Sequence, residues 1–142
     1  MSGRVVDMDV VESNPYTMYV AGATGGLWRT TDNGITWSSI FDAPVHSIGD
    51  VAVFQPNPQV IWVGTDDGNV QVTRDGGKSW TNTSKNIKGL PKDAWVSSVD
   101  AGHFAEGTAY VTIDMHRSGD MKPYAWRTTD FGKTWEALIA PG

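Results

Sequence analysis

The sequence predicts an all-β fold: a β-propeller segment of three four-stranded antiparallel blades per chain, closing by oligomerisation. Three observations carry this expectation. One nine-residue phrase is written three times, as RTTDNGITW at 29–37, VTRDGGKSW at 72–80 and RTTDFGKTW at 127–135. Its aspartates, Asp32, Asp75 and Asp130, are spaced by 43 and 55 residues, within or a little beyond the repeat length of propeller blades. No segment carries a convincing 3.6-residue apolar period; 84–93 comes nearest, and Gly89 and Pro91 break it.

Each repeat reads as four short alternating or β-rich runs separated by turn residues. In the first blade, about 1–43, these are RVVDMDVV, TMYVAG, GLWRTT and TWSSIF. The second, about 44–86, has SIGDVAVF, VIWVGT, NVQVTR and SWTNTS. The third, about 92–142, has WVSSVDA, TAYVTID, YAWRTT and TWEALIA, with a seven-residue insertion before the third run. The similarity also runs upstream of the phrase, aligning Tyr19 with Trp62 and Tyr110, and Arg4 with Ser47 and Trp95.

The phrase has a local mechanical meaning. An Asp at the head of a turn (Asp32, Asp75, Asp130) accepts hydrogen bonds from backbone N–H groups just downstream. The glycines Gly34, Gly77 and Gly132 supply positive φ without a Cβ penalty. The hydroxyls of Thr30, Thr36, Thr73, Ser79, Thr128 and Thr134 satisfy remaining donors, and Trp37, Trp80 and Trp135 anchor the hairpin by burying ~150–250 Å² each. Six of the seven Trp recur at equivalent positions, which points to packing; Trp95 has no aromatic counterpart and is the Trp to inspect for ligand stacking.

These phrases resemble Asp boxes, or bacterial neuraminidase repeats, and match that motif at every defined position. The resemblance implies a turn between the third and fourth strands of propeller blades, as in sialidases, xyloglucan hydrolases and sortilin-type ectodomains. More narrowly, 1–37 resembles an opening blade, and 95–135 a late blade, of bacterial sortilin-like, glycosyl-hydrolase-type propellers, which suggests a shortened or engineered version. The same resemblance implies an exported parent protein. It is informative about fold and weak about activity. The xyloglucan-hydrolase pattern places a catalytic Asp before a Gly-Gly pair in a first-blade turn, where this chain has Ala23 in GATGG.

Composition narrows the function. The net charge is -5 with no basic run, so nucleic acid is a poor partner. The absence of Cys excludes disulfides and thiolate sites, and the N-terminal stretch and the four-residue apolar runs predict neither a signal peptide nor a membrane span. No cofactor is expected, and His46, His103 and His116 lack metal-type spacing. Asp66 and Asp67 in GTDDGN suit a hairpin turn, and paired carboxylates also suit acid/base work or a hard cation. The insertion gathers His116, Arg117, Asp120 and Lys122 in one loop, where a solvated surface competes with a protein or sugar contact. Polar residues of the innermost runs, Arg4, Asp7, Asp50, Ser98 and Asp100, are candidates to face a central channel.

Propellers close with four to eight blades, so three blades predict a partner. Two copies give six blades, and a closed ring is expected over a filament. The functional expectation is a non-catalytic, self-assembling module that binds peptide or glycan at its channel or top-face loops. A carbohydrate-active propeller enzyme is the alternative.

Overall fold

A computed structural model describes residues 4–23, 25–41, 47–92 and 94–139. They form three four-stranded antiparallel sheets, each a meander in chain order. The first contains β1 (Val5–Val10), β2 (Met18–Gly22), β3 (Gly26–Thr30) and β4 (Ser38–Phe41). The second contains β5 (Ile48–Val53), β6 (Ile61–Thr65), β7 (Val70–Thr73) and β8 (Thr81–Asn82). The third contains β9 (Trp95–Ala101), β10 (Ala109–Asp114), β11 (Tyr124–Thr128) and β12 (Glu136–Ala137). All twelve runs read from the sequence thus carry a strand, and the described helical structure is limited to 3-10 turns at Ser84–Asn86 and His116–Ser118.

Alternation explains the packing. β6 reads IWVGT and is buried along its whole length, because neighbouring blades cover both of its faces. One core lies between the first and second blades, where Tyr19, Leu27 and Phe41 meet Ile48, Val51 and Ile61. The other lies between the second and third, where Trp62, Val70 and Ile87 meet Val96, Val111 and Trp126. Two outermost strands fall short of their runs: β8 and β12 pair over two residues each. An outermost strand has a ladder on one side only. In the second blade the Thr83 N–H and hydroxyl both bond the Val70 carbonyl (2.8 and 2.9 Å), and the chain then turns away.

The innermost strands are tied directly to one another. Val51 N–H on β5 donates to Asp7 Oδ2 on β1 (3.1 Å), Val53 N–H donates to Asp9 Oδ2 (2.8 Å), and Val99 N–H on β9 donates to Asp50 Oδ2 (2.8 Å). A carboxylate on one blade therefore satisfies main-chain donors on the next, which a channel-lining strand cannot satisfy through its own ladder.

Candidate functional site

The three repeated turns share one geometry. Asp32 accepts from Thr30 Oγ1 (2.8 Å), from Thr36 N–H (2.8 Å) and from Thr36 Oγ1 (2.5 Å). Asp75 does the same with Thr73 and Ser79, and Asp130 with Thr128 and Thr134. Each leading Thr hydroxyl also accepts from the box glycine N–H, at 2.9 Å in all three copies. The glycines sit at φ 90, 97 and 81°, and the residues before them, Asn33, Gly76 and Phe131, at 60, 73 and 59°. Hydrogen bonds from Thr36 and Thr30 hold the Asp32 carboxyl down at about 2, and equivalent bonds lower Asp75 and Asp130. Carboxylates so committed brace their own hairpins and have no proton to give near neutrality.

The remaining candidates divide along the inner strands. Arg4, Asp66, Trp95 and Arg117 come together at one end, around a cleft of about 420 Å³ also lined by Ser47 and Gly49. The strand starts and the β2–β3, β6–β7 and β10–β11 connections meet there, with the Ala23 N–H bonded to the Arg4 carbonyl (2.8 Å) and Asp66 N–H to the Ser47 carbonyl (3.0 Å). The insertion folds over Trp95: the Arg117 guanidinium lies 4.1 Å from the indole ring and the His116 ring 6.0 Å away. His116 is fixed by Asp114, whose Oδ1 lies 2.6 Å from Nδ1 and accepts the His116 main-chain N–H at 2.9 Å. Asp120 is used within the loop, accepting from Lys122 N–H (3.0 Å) and the Tyr124 hydroxyl (2.6 Å), and both bonds lower its carboxyl.

Asp67 turns back into its hairpin, accepting from the Thr65 hydroxyl and from Asn69 Nδ2 (3.0 Å). Asp7 and Asp50 lie mid-strand as the ties described above. Burial first, and then the shared hydrogen bond with Asp7, push Asp50 up to about 7, against the lowering effect of Val99 N–H. Asp100 lies at the opposite end, in a second cleft with Asp9, Glu12, Gln55 and His103. The sequence reading missed Asp9, Gln55 and Gly49. Asp9 and Asp100 occupy equivalent positions, a repeat signal that was available. Gln55 crosses between blades, donating to the Val10 carbonyl (2.8 Å) and accepting from Glu12 N–H (2.9 Å), and has no local signature. His46 lies outside the described residues. Among the described residues no group of three or more His, Cys, Asp or Glu could hold a metal ion, and no helix is long and apolar enough to cross a membrane.

The family model for the BNR/Asp-box repeat matches residues 28–39 and 126–137, the first and third turns. Among solved structures, YCF48 bound to D1 peptide superposes with a TM-score of 0.74 at 23% identity, over 99% of this chain and 42% of that one. The GH74 xyloglucanase from Xanthomonas campestris superposes at 0.67 and 19%, over 95% and 23%. The Dos1 propeller superposes at 0.71 and 11%, over 97% and 36%. The chain spans less than half the length of each of these proteins. No curated protein sequence matches it. At these identities the likeness establishes the fold: BNR-type blades of a β-propeller.

Proposed function

We propose that this chain is a non-catalytic binding propeller that completes its ring with a second copy of itself and takes a peptide in the cleft at the start of the inner strands. The observation that carries the peptide reading is the cleft's chemistry: Arg4 and Arg117 line it together with Trp95, and Arg117 lies over the indole. Guanidinium groups favour carboxylates through paired, charge-assisted hydrogen bonds, and an indole face offers apolar area at small entropic cost. An acidic, extended peptide fits that combination. The structural relative YCF48 was solved with a peptide bound, which supports the class of ligand.

A glycan is the second reading, supported by the GH74 structural relatives. Glycoside hydrolysis in its usual form needs two opposed carboxyl groups, whereas Asp66 is the one carboxylate among the described residues of this cleft. Calorimetric titration with acidic and neutral peptides, alongside xyloglucan and aryl glycosides, decides between them. The expected result is saturable binding of the acidic peptide, weakened about tenfold or more by Arg117→Ala, which corresponds to ~1.4 kcal/mol. Sugar turnover abolished by Asp66→Ala would overturn the non-catalytic reading.

Self-association is supported by apolar groups left open on the two outer faces: Val5 and Met8 on the first blade, and Tyr110, Leu138 and Ile139 on the third. A two-copy ring of six blades covers both faces at once.

A further inference from the structure

Neighbouring blades are joined by a recurring glycine seat, to which the first pair adds an indole and a guanidinium hydrogen bond, and the described residues display both closed and open versions of these devices. The box glycine of one blade seats on the outermost segment of the blade before it. A Cβ on Gly77 would meet Ile40 Cβ at 3.0 Å, and one on Gly132 would meet Thr83 Cβ at 2.6 Å. The box Trp80 follows, donating from Nε1 to the Ile40 carbonyl (2.9 Å) and setting its ring edge-on to Phe41, 5.0 Å away. In the forward direction Arg29, paired with Tyr19 across β2 and β3, donates from Nη1 to the Gly76 carbonyl in the next box (3.1 Å).

The open versions stand at the two outer faces. On the first blade, a Cβ on Gly34 would meet only its own Trp37 ring among the described residues, and Trp37 Nε1 is turned onto the Gly34 carbonyl (3.1 Å). Val5 is 52% exposed there, while its counterparts Ile48 and Val96 are 1% and 0% exposed. On the third blade, Arg127 and Tyr110 pair as Arg29 and Tyr19 do. Arg127 Nη2 instead rests on Glu136 Oε2 (2.7 Å), and its Nε is buried without a hydrogen-bond partner among the described residues. Tyr110 is 39% exposed, against 3% for Tyr19 and 0% for Trp62.

We infer that the seam between two copies is made by these residues: Gly34 and Trp37 of one copy seat on Leu138 and Ile139 of the other, and Arg127 leaves Glu136 for the Asn33 carbonyl across the seam. The inference rests on the self-association proposed above and names its faces. A second copy is the occupant because the open face of the first blade carries, in Gly34 and Trp37, the glycine and indole that the second blade presents to the first as Gly77 and Trp80. Leu138 and Ile139 occupy the positions of Ile40 and Phe41, and Asn33 that of Gly76, at nearly the same left-handed φ (60 and 73°). The contact is heterologous, so the same seam formed twice closes a two-copy ring.

The chain has no Cys, so the double variant Gly34→Cys/Leu138→Cys reports this seam alone. The internal counterparts approach within disulfide reach once the neighbours relax by a few tenths of an ångström. Mild oxidation at micromolar concentration is expected to give a disulfide-linked species of two chains on a non-reducing gel; a ladder of longer products upholds the seam and overturns the two-copy ring. Cys at position 34 must adopt a strained φ, so Leu138→Asp is the companion variant, expected to weaken self-association at least about tenfold in native mass spectrometry with an unchanged circular dichroism spectrum. If the unmodified chain is multimeric, forms no cross-link in the double variant and keeps its stoichiometry in Leu138→Asp, the seam is overturned while self-association stands. A monomeric unmodified chain overturns both.

Discussion

Asp32 and Asp50 carry the same carboxyl group to opposite ends of its titration range. Asp32 is partly exposed and ringed by donors that stabilise the anion, which lowers it from 3.8 to about 2. Asp50 is half-buried beside a second carboxyl and is raised from 3.8 to about 7. The consequences for stability have opposite signs. The Asp32 contribution is present above about pH 4 and lost as pH falls through about 2, because the unfolded chain binds the proton more tightly there. The Asp50 contribution is fully present below about pH 4 and lost as pH rises through about 7, because the folded state favours the acid form. Thermal melting followed by circular dichroism is therefore expected to peak near pH 4. Asp50→Asn keeps an acceptor for Val99 N–H and should flatten the limb between pH 4 and 7 while leaving the acid limb in place. Parallel profiles for the two proteins would refute the assignment. The box aspartates were legible in the sequence, since their donors sit within four residues along the chain. The role of Asp50 was not, because its partners Asp7 and Val99 lie on two other strands.

At the scale of elements, strand order and register follow from alternation and turn residues, and close approach between blades depends on glycine. A Cβ at Gly64 on β6 would fall 2.3 Å from Val96 Cγ1 on β9, inside the core between the second and third blades. A Cβ at Gly49 would fall 2.4 Å from the Val96 carbonyl oxygen. Neither position needs a left-handed backbone; the space alone excludes a side chain. Gly64→Val should destabilise the fold by about 1–3 kcal/mol or more through overpacking, read as a lower urea midpoint with an unchanged slope. An unshifted midpoint would show that β9 can withdraw freely. These glycines lie within apolar strand runs, so the sequence marked the strands and left the reason for the gaps to packing. The two short outermost strands were overestimated for a related cause: with one ladder neighbour, a β-rich run need not remain paired.

For the whole molecule, the three blades stack through two related interfaces and leave apolar groups open at opposite faces. If two copies join through those faces, the melting temperature must rise with protein concentration, because association stabilises the folded state by mass action. A melting temperature constant over a hundredfold dilution series would exclude an obligate assembly. The cleft at the start of the inner strands also belongs to this scale, since Arg4, Ser47 and Trp95 open three different blades and only the arrangement of the blades around one axis brings them together. The sequence by itself determined the strand content, the repeat and the self-satisfied box turns, all of which rest on interactions within a few residues along the chain. The tertiary structure alone decided which candidates share a cleft, which carboxylates tie blade to blade, and which apolar side chains stay uncovered. Those outcomes depend on contacts between residues from about 20 to more than 40 positions apart, where neither spacing nor residue type specifies the partner.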